Sequence, residues 1–291
     1  MSSSPKLLFI INPGSGKNAV DWHNEIQLYF KDDAREYETY ELPKSCDISD
    51  IQKRIRKSGA ERVIAVGGDG TVKMVAECLK GSPTPMGILP GGSANGMARE
   101  LNIPDNPREA IDVAVNGEVA TIHLLKVNNE LCIHLSDIGF NAFVVKKFED
   151  ENTRGMWGYT KAAWKVLWSH SKMDVEIKIG DEMIHRQAAM VVIANATKYG
   201  NGVVINPEGS LYDELFEVVI IKKISLSEIF KMRFTKGDLN PEKTELLQTS
   251  SLRIRSKHRT HFQVDGEYRG KLRDVKAEII PAALKVIRGR A

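Results

Sequence analysis

No apolar run in the 291 residues approaches the roughly 18–20 needed to cross a bilayer, so no membrane-spanning helix is expected. Cysteine is scarce: Cys46, Cys78 and Cys132 stand far apart and are odd in number. That argues against a disulfide framework and for a reducing compartment. The opening Met1-Ser2-Ser3-Ser4-Pro5-Lys6 has neither the apolar stretch nor the small-residue cleavage site of a secretory signal, so a cytoplasmic location is the expectation. Charge of one sign is also in short supply. The net +3 is too small to imply nucleic-acid binding, and no zinc-finger spacing, RNP-type aromatic motif or helix-turn-helix pattern accompanies it. His258 and His261 stand three apart in a strand-like run with no cysteine near, which does not suit zinc.

What remains is an ordinary folded composition, 42% hydrophobic and 27% charged, long enough for one large domain or two of usual size. Charge is unevenly spread. Residues 251–291 hold 11 Lys/Arg against four Asp/Glu, while the preceding 250 hold 30 against 34. Such a segment could meet phosphate or an anionic membrane face, or be the solvated side of strands.

Two textures divide the chain near residue 122. Before it, strand-like runs (6–12, 36–42, 62–66, 86–89) alternate with helical patterns (18–30, 48–57, 72–79, 94–101, 107–115). That alternation predicts βαβ units and a mostly parallel sheet. Ligands of such sheets bind beyond the carboxyl ends of the strands. After it, strands are expected at 122–127, 131–135, 140–145, 175–179, 189–194, 216–221, 252–255 and 260–264, with helices only at 154–169 and 226–234. This predicts a β-rich, antiparallel sandwich.

The chemistry lies in glycine turns. Asn12-Pro13-Gly14-Ser15-Gly16-Lys17 follows a strand and opens a helix, where backbone N–H groups point outward and glycine lets a phosphate approach. The Walker A spacing is absent, and alone this is a weak signal. Val66-Gly67-Gly68-Asp69-Gly70-Thr71-Val72 adds a carboxylate to a backbone cradle. Asp69 is either the N-cap of the next helix or a group that takes a proton or a metal ion. Leu89-Pro90-Gly91-Gly92-Ser93-Ala94-Asn95-Gly96-Met97-Ala98-Arg99 is the third such turn, with Ser93 and Asn95 as caps or phosphate donors. Phe262-Gln263-Val264-Asp265-Gly266-Glu267 carries two acids around a glycine. It reads as an Asp-Gly hairpin turn or as a general base offered by the second domain. A further segment, 155–170, sets Trp157, Trp164 and Trp168 on one helical face with Lys161, Lys165 and Lys172 near. It faces a core or lines a lipid cleft.

Taken together, GGDGT at 67–71, PGGSANGMAREL at 90–101 and VDGE at 264–267 resemble the diacylglycerol kinase catalytic family, which includes bacterial lipid kinases and sphingosine and ceramide kinases, with NAD kinases as distant relatives. The resemblance runs from NPGSGK to VDGE. It implies an NAD kinase-like α/β N-terminal domain (1–122, completed by about 272–291), a C-terminal β-sandwich (123–271) and ATP bound between them. It implies nucleotide contacts from Asn12, Pro13, Gly14, Ser15 and Gly16. The same is implied for Gly67, Gly68, Asp69, Gly70, Thr71, Val72 and Lys73, and for Gly92, Ser93 and Asn95. Asp69 would organise Mg²⁺ or the acceptor hydroxyl, and Glu267, with Asp265 beside it, matches the proton acceptor. Ser210, Asp213 and Leu215 match a structural Mg²⁺ turn, in which Glu214 replaces the usual glycine. The family's G-T-x-N-D reads Gly92-Ser93-Ala94-Asn95-Gly96 here, so its acid is lost.

The implied activity is transfer of the γ-phosphate of ATP to a lipid hydroxyl, with transient peripheral contact at the inner membrane face. Pairing of two copies through apolar strands of the second domain would be compatible with it. An NAD kinase-like enzyme and a catalytically silent lipid- or nucleotide-binding protein are the alternatives.

Overall fold

A computed structural model describes residues 5–15, 20–140, 142–143, 145, 172–199, 203–204, 206, 209–223 and 242–290. The chain divides into two compact units, Met1–His123 with Ala282–Ala291, and Leu124–Pro281.

The first unit alternates strand and helix: β1 (Leu7–Ile11), α1 (Trp22–Tyr29), β2 (Tyr37–Glu41), α2 (Ile48–Ser58), β3 (Arg62–Gly67), α3 (Asp69–Leu79), β4 (Met86–Pro90), α4 (Gly96–Glu100) and α5 (Pro107–Asn116). β1 reads LLFII and is buried throughout, as expected of a strand covered on both faces. β2 reads YETYE and stays half exposed, which suits its place at the edge. Local chemistry sets the helix ends. Asn106 Oδ1 accepts the Arg108 and Glu109 N–H groups ahead of Pro107 at the first helical position of α5. α2 stops at Gly59, whose φ of 62° is the left-handed C-cap conformation.

The parallel sheet runs β2-β1-β3-β4. β1 has its sequence successor on one side and β3 on the other, so the chain reverses its winding there. The turns after β1 and β3 therefore lie at the topological switch point, where open α/β sheets bind ligands.

In the second unit almost everything is strand. β5 (Glu118–Val127) enters it. There follow β6 (Glu130–Cys132), β7 (Leu135–Gly139), β8 (Met173–Ile179), β9 (Glu182–Ala188), β10 (Met190–Ala194), β11 (Lys198–Tyr199), β12 (Val203–Val204), β13 (Phe216–Ile221), β14 (Thr244–Thr249), β15 (Ser251–Val264) and β16 (Glu267–Arg288). β15 belongs to two layers. Its residues 253–256 pair with β8, its residues 262–264 with β7, and β16 runs along both stretches. Val175, Ile177, Val191, Ile193, Phe216, Val218, Ile254 and Phe262 fill the sandwich core between the layers. The end of β16 returns to the first unit, where Val286 pairs with Met86 of β4.

Several expectations shift. Residues 140, 142, 143 and 145 are helical where a strand was expected. Gly139, at φ 107°, turns the chain out of β7, and the Asp137 carboxylate accepts the Ala142 N–H as an N-cap does. The strands expected at 252–255 and 260–264 are one strand, with register shifts between Arg255 and Thr260. The returning segment begins at Ala282, because residues up to Glu278 pair with β15 inside the second unit. The expected helices at 154–169 and 226–234, with Trp157, Trp164, Trp168, Lys161 and Lys165, lie outside the described residues. Among the described residues no helix is long and apolar enough to cross a membrane.

Candidate functional site

The three glycine turns of the first unit meet. Asn12 closes β1, and its Nδ2 donates to Thr71 Oγ1 on α3 at 3.0 Å while its backbone N–H bonds Val66 O. Its Oδ1 accepts the Gly14 N–H, and Ser15 Oγ donates to its carbonyl at 2.7 Å, so the first turn is folded on itself. The second and third turns are joined by the Gly91 N–H donating to Gly67 O at 2.8 Å.

Gly68 and Gly92 pass so closely that a Cβ on Gly92 would lie 2.5 Å from the Gly68 Cα. A side chain at either position would force the turns apart, which is the physical reason for glycine at both. Asn95, held at φ 51°, clamps the third turn: the Gly92 N–H donates to its Oδ1 at 2.8 Å, and its Nδ2 donates to Gly92 O at 3.0 Å. It is the N-cap residue of α4 by position, but its side chain is spent on the turn.

Gly68, not Asp69, is the N-cap of α3. The Asp69 carboxylate reaches across and accepts the Met97 N–H in the first turn of α4 at 3.3 Å. Thr71, Val72 and Lys73 are buried behind the loop, while Gly70 and Ser93 are exposed at its rim. The rim presents backbone amides at the start of α3, where the helix dipole favours an anion. Pro13 and Gly14 are exposed beside it; Gly16 lies outside the described residues.

The late acids belong to the second unit. Val264 pairs with Glu267 across a two-residue turn, Asp265 at φ 50° and Gly266 at φ 83°, so the tip of the β15–β16 hairpin is an Asp-Gly turn of the I′ kind. Asp265 is committed to the backbone. Its Oδ1 accepts the N–H groups of His134 at 2.9 Å and Leu135 at 3.3 Å, and the Cys132 thiol at 3.4 Å. Its Oδ2 accepts the Ile133 N–H at 3.2 Å, and its own N–H bonds Leu135 O.

A second brace comes from buried Asp137, whose Oδ2 accepts from Gln263 Nε2; Gln263 Oε1 then accepts the Gly266 N–H at 2.7 Å. Glu267 is exposed and pairs with Arg269. Arg269 is itself gripped by both oxygens of Glu130 at 2.6 and 2.7 Å, and that hydrogen bonding strengthens its hold on its proton.

The turn at 210–215 offers the oxygen donors that a hard cation takes. Ser210 Oγ accepts the Tyr212 N–H, and Asp213 Oδ1 accepts the Leu215 N–H, each at 3.1 Å, leaving Asp213 Oδ2 and the turn carbonyls. Asp213 also lies near Glu217, a buried acid whose pKa is raised by desolvation first and by the Asp213 charge as well. Glu217 accepts from Asn206 Nδ2 at 2.5 Å and Gln248 Nε2 at 3.0 Å. Asn206 Oδ1 is buried with no partner among the described residues. One free carboxylate oxygen with carbonyls suits a weakly held ion that keeps much of its water. No cluster of three or more His, Cys, Asp or Glu able to hold a metal occurs among the described residues.

Sequence patterns locate the turns but miss Asp137, Gln263 and Glu130, because no motif marks a brace made by residues over a hundred positions apart.

Comparison with known proteins bears on the family and the fold. The diacylglycerol kinase catalytic domain family matches residues 6–127, and the YegS C-terminal NAD kinase beta sandwich-like domain family matches residues 136–288. A diacylglycerol kinase of Staphylococcus epidermidis is 27% identical over 272 residues, covering 90% of this chain and 86% of the relative. A crystal structure of a diacylglycerol kinase from Bacillus anthracis superposes with a TM-score of 0.73 at 17% identity, covering 99% and 98% of the two chains. The structure of an Archaeoglobus fulgidus NAD kinase in complex with ATP has the same fold at a TM-score of 0.56 and 13% identity, covering 97% and 93%.

Proposed function

The chain belongs to the diacylglycerol kinase catalytic family with a YegS-type C-terminal domain, and from that premise we propose that it transfers the γ-phosphate of ATP to the hydroxyl of a diacylglycerol-like or sphingoid lipid. The observation that carries the reading is the fusion of three glycine turns at the switch point of the parallel sheet.

Phosphoryl transfer asks for positioning and charge neutralisation more than covalent help. In this reading the backbone N–H groups of residues 68–71 and 93 hold the phosphates, with the turn at residues 13–15 and Gly92 giving them room to approach. Asp69 orients the acceptor hydroxyl or the ion that accompanies the nucleotide. Glu267 takes the hydroxyl proton as the alcohol oxygen bonds to the γ-phosphorus and the bond to the β-phosphate oxygen breaks, with ADP leaving. Glu267 is preferred over Asp265 because both Asp265 oxygens already accept backbone N–H groups. Ser210 Oγ, Asp213 Oδ2 and the Leu215 carbonyl are the oxygens proposed to hold Mg²⁺, whose charge would steady that turn.

The test is incubation of the purified chain with labelled ATP, Mg²⁺ and a total lipid extract, with NAD⁺ as a parallel acceptor. Label in a lipid, lost in Asp69→Ala and cut by about 10²–10⁴-fold in Glu267→Ala, supports the reading. Label in NAD⁺ alone, in neither acceptor, or undiminished in Asp69→Ala, overturns it.

A further inference from the structure

Glu267 stands between two tethers, and both run to the helical residues that follow β7. Register sets Ser136, Val264 and Glu267 in one row across β7, β15 and β16, and Asp137, Gln263 and Tyr268 in the next. Residues paired across strands share a face of the sheet. The first tether starts at buried Asp137. Its Oδ1 accepts the Ala142 N–H at 2.9 Å, its Oδ2 accepts from Gln263 Nε2, and Gln263 Oε1 accepts the Gly266 N–H at 2.7 Å. It ends at the residue before Glu267. The second starts at Phe143, which stacks on His261 with ring centroids 4.5 Å apart and planes 17° from parallel. His261 Nδ1 and Tyr268 Oη share a hydrogen bond at 2.9 Å. This tether ends at the residue after Glu267. Ala142 and Phe143 are neighbours in the chain, so both tethers leave the same helical turn.

The hairpin turn does not call for either tether. An Asp-Gly pair supplies the two positive φ angles, and the Asp265 carboxylate already anchors the tip on the N–H groups of Ile133, His134 and Leu135. Asp137 and Gln263 are both wholly buried. Burying an acid and an amide costs desolvation that apolar side chains would avoid. What the polar pair supplies is direction, because a satisfied buried network specifies one arrangement of the groups it joins. The groups joined here are a helical turn and the residues on either side of an exposed carboxylate.

We propose that Asp137, Gln263, His261 and Tyr268 are positioning residues for Glu267, and that they make its presentation depend on the helical turn after β7. A shift of that turn at residues 142–143 reaches Glu267 from both sides, through Gly266 and through Tyr268. With the turn in place, the Glu267 backbone is fixed and its carboxylate stays free to swing. The proposal rests on the reading of Glu267 as the proton acceptor.

The test uses the full chain and two variants that each cut one tether. Gln263→Met replaces the amide by an apolar side chain of similar length, and leaves buried Asp137 one donor short. Tyr268→Phe removes a single hydroxyl from a half-buried ring, so it should fold even if Gln263→Met does not. Amide hydrogen exchange needs no activity and is measured first. Loss of one hydrogen bond should speed exchange at residues 265–268 by about fivefold in either variant. Gln263→Met should also speed it at residues 142 and 143. Unchanged exchange at residues 265–268 in Tyr268→Phe overturns the proposal. The second measurement is kcat and KM with the lipid acceptor, for each variant alone and combined with Glu267→Gln. A reacting group misplaced by about 1 Å can cost 10²-fold, so kcat of each single variant should fall by about 10- to 100-fold. KM for ATP should stay within about twofold, and in the Glu267→Gln background the same substitutions should change kcat by less than about twofold. Equal losses in the two backgrounds show a merely structural role and overturn the proposal. If the wild-type chain phosphorylates no lipid, the functional reading fails, and the exchange measurement alone decides whether the tethers hold the hairpin tip.

Discussion

Replacing Gly92 by alanine attacks the contact on which the glycine turns depend. The added Cβ falls 2.5 Å from the Gly68 Cα, 3.0 Å from Asn95 Oδ1 and 3.4 Å from the Gly68 N. Carbon atoms in good contact sit about 3.5–4.0 Å apart, so the two loops must separate by about 1 Å. The first obstacle is backbone, which cannot rotate aside as a side chain can. Separation strains the Gly91–Gly67 hydrogen bond and the paired bonds between Gly92 and Asn95. Overpacking costs about 1–3 kcal/mol and each weakened hydrogen bond about 1 kcal/mol. The expected destabilisation is about 2–4 kcal/mol, or a fall in melting temperature of roughly 5–15 °C for a fold of this size.

A displacement of about 1 Å at a binding loop can cost 10²-fold in function, so ATP affinity, followed by calorimetric titration, should drop by more than tenfold. Gly70→Ala is the control. No atom lies within 4 Å of its added Cβ, so the fold should keep its melting temperature or gain slightly. Nucleotide affinity should still fall, because the proposed function places the phosphates against the start of α3. A Gly92→Ala protein that melts and binds ATP like the wild type would refute the close approach of the two turns.

Four further outcomes are expected. Asp265→Asn keeps the left-handed turn but loses charge-assisted acceptance of three backbone amides, so it should be less stable by about 1–2 kcal/mol with kcat within tenfold of wild type. Glu267→Gln should melt normally and lose about 10²–10⁴ in kcat; the opposite pattern would exchange the two roles. Arg269→Gln breaks the partly exposed pairs with Glu267 and Glu130, each worth at most about 1 kcal/mol, and touches no other site group, so turnover should change by less than about fivefold. Burial of half-buried Cys78, helped by the nearby Glu77 charge, pushes its thiol from 9.0 up to about 12. A thiol raised in the folded state gives stability that is full below pH 9 and lost as pH rises towards about 12. The urea midpoint of Cys78→Ala should therefore decline less steeply over that range than that of the wild type, and equal slopes would count against the burial effect.

Where neighbours in sequence decide the structure, the sequence is readable. β1, β3 and β4 are apolar runs that end at glycine or proline, and their turns lie where the strand–helix alternation puts them. The Asp-Gly hairpin is equally local, since positive φ at two positions is what that dipeptide supplies. Non-local structure is harder to see. β9 reads EMIHRQA, too polar to announce a strand, yet all seven of its residues pair with β8. Residues 140, 142, 143 and 145 lie in a stretch of strand composition and are helical, with Asp137 capping Ala142. Asp69 has the right residue type and place for an N-cap, yet its carboxylate goes to Met97, 28 positions away. In each of these cases a specific partner overrides the residue's own preference: the neighbouring strand for β9, a carboxylate five residues back for Ala142, and a helix 28 positions on for Asp69.

The pair of acids in VDGE illustrates the same division at the candidate site. From the sequence Asp265 and Glu267 are equivalent carboxylates two residues apart. In the fold they differ in what each must give up in order to act. Asp265 would surrender three amide hydrogen bonds, and each amide left unpaired costs roughly 1–3 kcal/mol. Glu267 need only release Arg269, at about 1 kcal/mol or less, and Glu130 retains that arginine when it does. Meanwhile the Glu267 backbone is fixed by its pairing with Val264, and the turn beside it is pinned by Asp265 and by the Asp137–Gln263–Gly266 chain. A rigid backbone carrying a cheaply released carboxylate is what a proton acceptor needs, since order is kept before the reaction while the side chain stays available. By the same reasoning Asp265 would serve the proposed chemistry only through the turn it holds.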